Sequence, residues 1–330
     1  QRDTKDMLGP GLDFPDMFGA SAPQTNNASM RNRGWELSLN YRGKIGSDIN
    51  YSIGGSLSDA TAEVTEYANP TGTNPAGNWY EGRKVGEIWG YRASGIIQTQ
   101  EEADEYNAKY NLSYLTGKAW EPGDVKYIDL NGDNKIDRGD NNLNNMGDLT
   151  IIGNTTPRYQ YTFNGSISYK DLSLSMMFQG VAKRDWDPGT APYFWGSGAY
   201  AQVTVFNEHM DYWREDNKDA YYPKPYIHSA GGVGPFRNKT MQTSDRYLQS
   251  GAYCRLKNIT LSYNLPSTWV QKAGLQKVQV FFSGENLLTF TSLKGMFDPE
   301  AIFTSNSYTG EGGKNYPMNK VVSFGLVVNL

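Results

Sequence analysis

Apolar and polar residues alternate strictly along seven segments of the sequence. In the first segment, for example, Trp35, Leu37 and Leu39 alternate with polar residues. A period of two places apolar side chains on one face of a β-strand and polar side chains on the other. The seven predicted strands lie at 35–41, 49–57, 161–169, 172–178, 259–265, 278–282 and 322–330.

These strands suit a membrane better than a soluble sandwich, although a sandwich strand also has one apolar face. Each strand runs for about ten residues, which is the length of a tilted strand that crosses a bilayer. The polar faces carry mostly Ser, Thr, Asn and Gly, whereas soluble surfaces usually carry more Lys and Glu. Aromatic residues collect at strand ends, as the girdle of a membrane barrel requires: Trp35, Tyr41, Tyr159, Tyr161 and Tyr169.

The connections between the strands alternate in length along the chain. Short connections at 42–48, 170–171 and 266–276 alternate with long ones at about 58–156, 182–251 and 291–319. Outer-membrane barrels have short periplasmic turns and long extracellular loops. We therefore predict an all-β fold that is part of a large antiparallel transmembrane β-barrel, with the three long loops outside the cell.

Strand parity predicts a barrel larger than this chain. Seven strands leave the outer two without partners, and open sheet edges are not tolerated in lipid. If the turn at 42–48 is periplasmic, residues 1–34 belong to an extracellular loop. We therefore expect residues 1–330 to form the C-terminal part of a barrel, with further strands preceding Gln1.

Composition excludes several other classes of protein. The mean hydropathy is −0.63, and no apolar run approaches the roughly 18 to 20 residues that a membrane helix needs. The 31 basic and 35 acidic residues give a formal net charge of −4 without a block of like charge, so no nucleic-acid partner is expected. The single cysteine, Cys254, has no companion cysteine and is interpreted as structural.

A twelve-residue stretch of the first long loop, DLNGDNKIDRGD at 129–140, has the spacing of a calcium-binding loop. It departs from an EF-hand in having Gly132 at position 4 rather than a Gly at position 6, and Asp rather than Glu at position 12. We predict a structural Ca²⁺ site, the alternative being an Asn/Asp-rich loop that binds no ion. The predicted ligands are Asp129, Asn131, Asp133, the backbone carbonyl of Lys135, Asp137 and Asp140.

The sequence contains no recognisable catalytic constellation. The two histidines, His209 and His228, stand in no zinc-binding spacing and are expected on loop surfaces. No hydrolase, nucleotide-binding or dinucleotide-binding motif lies between a strand and a helix. We therefore predict that the chain is not an enzyme and has no catalytic residue.

The second long loop is rich in aromatic residues, which can stack on sugar rings or hold a peptide because their faces offer large contact area at small entropic cost. The alternative is that these rings pack the loop itself or meet a partner protein. The candidates for substrate contact are Trp186, Tyr193, Trp195, Trp213 and Tyr222.

Several segments together resemble the C-terminal region of the SusC/RagA family of TonB-dependent outer-membrane transporters of Bacteroidetes. They occur in the order of the family and cover nearly the whole chain. The segments are NRGWELSLNYRG (32–43), EGRKVGEIWGYRASGIIQTQEEAD (81–104), GDVKYIDLNGDNKID (123–137), PRYQYTFNGSISYKDLSLSMMFQG (157–180), SDRYLQSGAYCRLKNITLSYNLP (244–266), VFFSGENLLTFT (280–291), DPE (298–300) and YPMNKVVSFGLVVNL (316–330).

This resemblance implies a barrel of about 22 strands with a plugged lumen. It also implies an N-terminal plug domain upstream of this chain, a lid formed by a SusD-type lipoprotein, and energy supplied by the TonB complex through the plug. The family imports oligosaccharides in many cases and peptides in others. An oligosaccharide is therefore the expected substrate, with a peptide as the alternative.

The sequence is also compatible with two functions other than import. One is a structural or adhesive surface barrel that binds a partner without transporting anything. The other is a soluble, calcium-stabilised carbohydrate-binding module. An upstream plug domain favours import over the first, and membrane localisation favours it over the second.

Overall fold

The structure is a computed structural model that describes residues 1–8, 17, 19, 26–69, 72–116, 118–189, 191–196, 205–226, 239–302 and 315–329. No helix among these residues is both long and apolar enough to cross a membrane. The architecture is dominated by antiparallel strands, and the helices are short.

Fourteen strands and three α-helices occur in the described ranges. The strands are β1 (Arg2–Leu8), β2 (Asn26–Ile45), β3 (Ile49–Tyr67), β4 (Glu87–Tyr91), β5 (Ala93–Ile96), β6 (Val125–Tyr127), β7 (Leu149–Asn154), β8 (Arg158–Tyr169), β9 (Leu172–Lys183), β10 (Asp185–Trp186), β11 (Gln249–Ser250), β12 (Tyr253–Asn264), β13 (Lys277–Thr291) and β14 (Val321–Asn329). The helices are α1 (Gln100–Lys109), α2 (Pro192–Trp195) and α3 (Ser267–Val270).

Eight strands form one sheet in the order β1-β2-β3-β8-β9-β12-β13-β14, and every pair is antiparallel. All seven predicted strands are present in it, so the predicted all-β antiparallel fold is confirmed. Strands that follow each other in the sheet also follow each other along the chain. Three long loops therefore leave the sheet at one end: the first long loop (68–157), the second long loop (184–252) and the third long loop (292–320).

The eighth strand, β1, corrects the prediction that residues 1–34 form a loop. Its sequence, RDTKDML, has no alternation of apolar residues, so the period-two pattern could not reveal it. The strand is held instead by backbone pairing with β2, in which Arg2 lies opposite Asn32. An ion pair between Arg31 and Asp3 (2.7 Å) adds to this pairing. The sheet therefore has eight strands, an even number, rather than the seven predicted.

Strands β2 and β3 are 20 and 19 residues long, about twice the predicted length. The ladder extends from the pair Ile45–Ile49 to the pair Ala28–Tyr67. Backbone hydrogen bonds continue this hairpin after the apolar alternation has ended. The first long loop consequently starts after Tyr67 rather than at residue 58.

The sheet has one apolar and one polar face. Across the ladder, Leu37 lies opposite Leu57, and Leu57 lies opposite Tyr161. Leu37 and Leu57 are exposed on this face, as is Phe324, which is 80% exposed. On the other face, hydroxyl groups bond across the strands, with 2.6 Å between Ser56 Oγ and Thr162 Oγ1. The sheet therefore exposes many large apolar side chains along one face, where a soluble protein usually presents polar groups.

Candidate functional site

The three long loops pack together around one cluster of buried apolar side chains, here called the loop core. Its central ring is Phe194, which is fully buried and lies 4.9 Å from the ring of Trp195 and 5.7 Å from that of Tyr222 (centroid distances). The third long loop contributes Phe297, whose centroid is 4.9 Å from that of Trp186. Edge-to-face contacts of this kind stabilise aromatic pairs beyond the burial of their area. The loops are thus a folded unit with a core of their own.

Four of the five predicted substrate-binding residues are buried, three of them in the loop core and Trp213 in a smaller cluster with Ile96 and Ala220. Trp186, Trp195, Trp213 and Tyr222 are only 4 to 7% exposed. A ligand cannot stack on them without opening the loops. Their burial favours the alternative interpretation, in which the rings pack the loop itself. Tyr193 differs, because its side chain is 39% exposed, and its contact with substrate stays a prediction.

A lysine from the third long loop covers part of this aromatic cluster. Lys294 Nζ lies 3.7 Å from the ring centroid of Tyr221 and 4.7 Å from that of Tyr222. An ammonium group over an aromatic face is attracted by the ring quadrupole, more strongly when water is excluded. Burial lowers the pKa of Lys294 below its ordinary value. The contact ties the second and third long loops together.

His209 does not lie on a loop surface as expected. It is 8% exposed. Its Nδ1 accepts a hydrogen bond from the backbone N–H of Phe206 (3.0 Å), and Nε2 lies 3.0 Å from the carbonyl oxygen of Tyr193. These partners require a neutral imidazole that carries its proton on Nε2. Burial lowers the pKa of His209. The other histidine, His228, lies outside the described residues.

A buried ion pair joins the first and second long loops. Lys239 Nζ lies 2.9 Å from Asp124 Oδ2, and the two side chains are 2% and 0% exposed. The hydroxyl of Tyr226 donates to Asp124 Oδ1 (2.5 Å), and the backbone N–H of Glu121 donates to Oδ2 (2.8 Å). A buried carboxylate needs several such partners, because desolvation alone costs several kcal/mol per ion. No spacing in the sequence indicates this pair, since its members are 115 residues apart.

A second buried charge connects the sheet to the third long loop. Arg255 of β12 is 2% exposed; its Nη2 donates to Asp298 Oδ2 and its Nε to Thr289 Oγ1, each at 2.8 Å. Glu300 Oε1 is 3.3 Å from Nη1. Asp298 and Glu300 begin and end the DPE segment. Arg255 therefore anchors the third long loop to the sheet.

The predicted calcium loop is wound by hydrogen bonds to its own backbone. Asp129 accepts from the N–H groups of Gly132 (2.6 Å) and Asn134 (2.9 Å). Asp133 accepts from Lys135 N–H (2.9 Å). Short Asp and Asn side chains stabilise tight turns in this way. These hydrogen bonds hold the segment in a series of tight turns.

The structure explains one departure of this loop from the EF-hand pattern. An EF-hand has Gly at position 6 for a sharp turn. Here Asn134 occupies position 6 with φ +60°, and Gly132 at position 4 has φ +78°. Asn is among the few non-glycine residues that tolerate this left-handed region. Asn134 thus makes the turn for which the sequence offers no glycine.

Two buried side chains fix the loop to the body of the protein. Ile136 is fully buried, and Asp148 beneath the loop accepts from the N–H groups of Leu130 (2.7 Å) and Asp137 (3.0 Å). Burial raises the pKa of Asp148. Sequence reasoning missed Asp148, which falls outside the twelve-residue spacing.

The donor set fits a cation only in part. Within the described residues, no three His, Cys, Asp or Glu side chains gather as an obvious metal centre. The carboxylate of Asp137 accepts from Gly139 N–H (2.6 Å), and that of Asp140 accepts from Asn145 Nδ2 (2.9 Å). Each carboxylate oxygen still has further lone-pair capacity for an ion. Calcium binding by the six predicted ligands stays a prediction.

Comparison with known proteins identifies relatives along nearly the whole chain. No family model matches. TonB-dependent receptor P3 of Formosa agariphila is 28% identical over 342 aligned positions, which cover 98% of this chain and 31% of the receptor. TonB-dependent receptor P26 of the same organism is 25% identical, with the same coverage. The chain thus spans about a third of the length of the curated relatives it matches.

The fold is shared with solved structures of RagAB. The structure of the RagAB peptide transporter superposes with a TM-score of 0.66 at 21% identity, covering 99% of this chain and 32% of that chain. The RagAB peptide importer in its open-open state gives the same TM-score at 23% identity. These comparisons confirm the resemblance to the C-terminal portion of SusC/RagA-type TonB-dependent receptors and the antiparallel fold predicted with it.

Proposed function

We propose that this chain is part of a TonB-dependent receptor that actively imports a nutrient across the outer membrane of a Gram-negative bacterium. The observation that carries the proposal is the similarity to TonB-dependent receptor P3, which extends over 98% of the chain. Strands, turns and long loops are therefore matched together. The proposal includes no enzymatic step, in keeping with relatives that are receptors rather than enzymes.

The two faces of the sheet support a place in the barrel wall. Burying a Leu, Val or Phe side chain is worth about 1.5 to 3 kcal/mol. In water, the side chains of Leu39, Leu326 and Phe324 would gain little of this stabilisation, because they are 60 to 80% exposed. Lipid removes this cost, while the hydroxyl-lined face borders the polar interior of a barrel. In the proposed protein the long loops lie on the extracellular side of the membrane, and the whole barrel has about 22 strands.

The proposed cycle begins with capture of the ligand by the long loops and a SusD-type lipoprotein. A plug domain in the rest of the protein, driven by the TonB complex, then opens a path through the barrel. The folded loop core supports this role because it gives the loops a defined outer surface. Its anchors are the Lys239–Asp124 and Arg255–Asp298 contacts.

The proposed substrate is an oligosaccharide, with a peptide as the alternative. An exposed ring such as that of Tyr193 suits a sugar face. The burial of the other four candidate rings weakens the argument for a sugar, and RagAB is described as a peptide transporter. Uptake of peptides is therefore measured together with uptake of oligosaccharides.

We also propose that the loop at 129–140 binds Ca²⁺ as a structural ion. The support is the oxygen-rich spacing together with the left-handed turn at Asn134. The residues that would hold the ion are Asp129, Asn131, Asp133, Lys135 through its carbonyl, Asp137 and Asp140. The ion would stabilise the first long loop and take no part in transport chemistry.

Uptake in living cells tests the import proposal. The gene is deleted, and accumulation of fluorescently labelled oligosaccharides and peptides is compared with the parent and with a complemented strain. We expect uptake of one ligand class to be lost on deletion, restored on complementation, and abolished when TonB is removed. Unchanged uptake of every ligand would contradict import and leave a structural or adhesive barrel.

A further inference from the structure

The side chain of Arg255 lies on the polar face of the sheet. Its neighbours in the ladder are Gln179 of β9 and Thr289 of β13. Gln179 in turn lies opposite Thr162, whose hydroxyl bonds to that of Ser56 on the polar face. Residues that lie opposite each other in a regular ladder share one face of the sheet. The third long loop, which supplies the acidic partners of Arg255, therefore meets the polar face.

The third long loop also reaches below the rim of the sheet. The pair Tyr253–Thr291 is the outermost pair of the β12–β13 ladder. The pair Arg255–Thr289 lies two residues further in, which is about 7 Å along a strand. Because Nε of Arg255 donates to the hydroxyl of Thr289 directly opposite, the guanidinium stays at this level. Asp298, which accepts from the same guanidinium, therefore folds back over the sheet instead of extending away from it.

Further polar contacts fix the loop at this place. Glu300 lies 3.3 Å from Nη1 of Arg255 and 3.1 Å from Nζ of Lys257. The backbone N–H of Met318, on the returning limb of the loop, donates to Asp298 Oδ2 (3.0 Å). The side chains of Arg255 and Asp298 are only 3% and 8% exposed. Separating buried charges of this kind is strongly unfavourable, so the loop is held firmly to the sheet.

The opposite side of the same segment packs into the loop core. Phe297 is buried, and its ring centroid lies 4.9 Å from that of Trp186 and 6.2 Å from that of Phe194. Ile302 belongs to the same cluster. Residues 297–302 are therefore clamped between the loop core and the polar face of the sheet.

We propose that residues 297–302 form a fixed constriction at the extracellular mouth of the barrel, which limits the size of the molecules that reach its interior. The inference rests on the proposed function, because the polar face is the inner wall only if the sheet belongs to a membrane barrel. A segment clamped against this wall occupies part of the opening. Buried charges on one side and aromatic packing on the other favour a fixed element over a hinged gate.

Labelling of a cysteine beyond the constriction tests the proposal on the full-length receptor in intact cells. Met177→Cys, in a Cys254→Ser background, places the cysteine on the polar face, because residue 177 lies opposite Asn164 and Asn258. Met177 is 39% exposed and lies further from the rim than Arg255. The probes are N-ethylmaleimide and a maleimide that carries a long polyethylene glycol chain, each added outside the cells.

Two variants loosen the constriction from its two sides. The first carries Asp298→Asn and Glu300→Gln, which remove the acidic partners of Arg255 with little change in side-chain shape. The second carries Phe297→Ala, which removes the ring that packs into the loop core. Agreement between them separates the constriction from a defect peculiar to one substitution.

The matched control breaks an ion pair at the same end of the sheet but on the apolar face. Asp59 binds Arg158, with 2.6 Å between Oδ2 and Nη2. Asp59 lies opposite Trp35 in the β2–β3 ladder and therefore shares the apolar face. Asp59→Asn thus controls for a general loss of stability without touching the third long loop.

In the parent, we expect N-ethylmaleimide to label residue 177 and the long reagent to label it slowly, at equal rates in cells with and without TonB. Each loosened variant should raise the rate of the long reagent relative to N-ethylmaleimide at least about tenfold, because breaking a buried contact raises the population of the open loop. The control should keep the ratio of the parent.

The constriction is overturned if the two reagents label the parent equally fast, or if both loosened variants keep the ratio of the parent. Labelling of the parent by the long reagent only when TonB is present would overturn it in favour of a moving gate. The measurement uses no transported ligand, so a receptor that fails to import every ligand tested still gives the labelling result.

Discussion

Lys239 and Asp124 form an ion pair inside the loop core, 2.9 Å apart and almost completely shielded from solvent. An exposed pair, Lys224 and Glu121 (3.1 Å), joins the same two loops at their surface. Breaking a buried pair leaves one uncompensated charge, whereas an exposed pair contributes little. The two pairs therefore form a matched experiment on what holds the loops together.

Lys239→Met should destabilise the loop core by about 3 to 5 kcal/mol because it leaves Asp124 buried without its counter-charge. Hydrogen–deuterium exchange of the segments around these two residues measures the change. The control, Lys224→Met, should change the free energy of opening by less than about 1 kcal/mol. Equal effects of the two substitutions would show that the buried pair does not anchor the loops.

The loop core should lose stability when His209 becomes protonated. Its pKa is lowered in the folded state, so the unfolded loop binds more protons as the pH falls below the ordinary value of 6.5. The contribution of His209 to the free energy of unfolding is therefore complete above pH 6.5 and is lost as the pH falls through the lowered pKa. NMR titration, with His209→Asn to assign the signal, should give a midpoint below 6.5. A midpoint at or above that value would contradict the buried, neutral imidazole.

Chelation should destabilise the first long loop if the segment at 129–140 binds Ca²⁺. At 100 times its dissociation constant, an ion that binds only the folded state stabilises by about 2.7 kcal/mol. Exchange of this segment should slow on adding Ca²⁺, and Asp133→Ala should abolish that effect. The control, Glu105→Gln on the exposed side of α1, should respond like the parent. Identical exchange with and without Ca²⁺ would show that this segment binds no structural Ca²⁺.

Substitutions at two neighbouring aromatic residues should separate ligand contact from packing. Tyr193→Ala removes a partly exposed ring, so we expect weaker uptake with unchanged loop stability. Trp195→Ala empties a buried site and should destabilise the loop core by about 3 to 5 kcal/mol. Uptake kinetics and hydrogen exchange together measure both effects. Unaltered uptake in Tyr193→Ala would contradict contact between Tyr193 and the substrate.

The sequence predicts strands well where one face is apolar. Leu37 pairs with Leu57 across two such predicted strands. A slip of one strand by one residue would turn its apolar side chains to the polar face, so the alternation also specifies the register. Strand β1 escaped prediction because residues such as Asp3 and Lys5 interrupt any apolar alternation. Backbone pairing with β2 forms this strand, and backbone hydrogen bonds leave no pattern in the side chains.

Tertiary packing was harder to predict from the sequence than the strands were. An aromatic residue such as Trp213 has the same chemistry in a ligand site as in a core, and only its 7% exposure distinguishes the two. The contact between Lys239 and Asp124 joins residues far apart in the chain, so no local spacing indicates it. The predicted calcium loop could be recognised in part. The spacing of its Asp and Asn residues is local, but Asp148, which holds the loop by hydrogen bonds, lies outside the motif.

Site-directed spin labelling along β2 measures whether one face of the sheet contacts lipid, as a membrane barrel requires. Single cysteines replace residues 37–40 in a Cys254→Ser background, and collision rates with oxygen, which dissolves in lipid, are measured in the outer membrane. Labels at Leu37 and Leu39 should collide frequently with oxygen, and labels at Ser38 and Asn40 rarely, giving a period of two. Uniform collision rates along the strand, or higher rates at the polar positions, would show that the apolar face of β2 does not contact lipid.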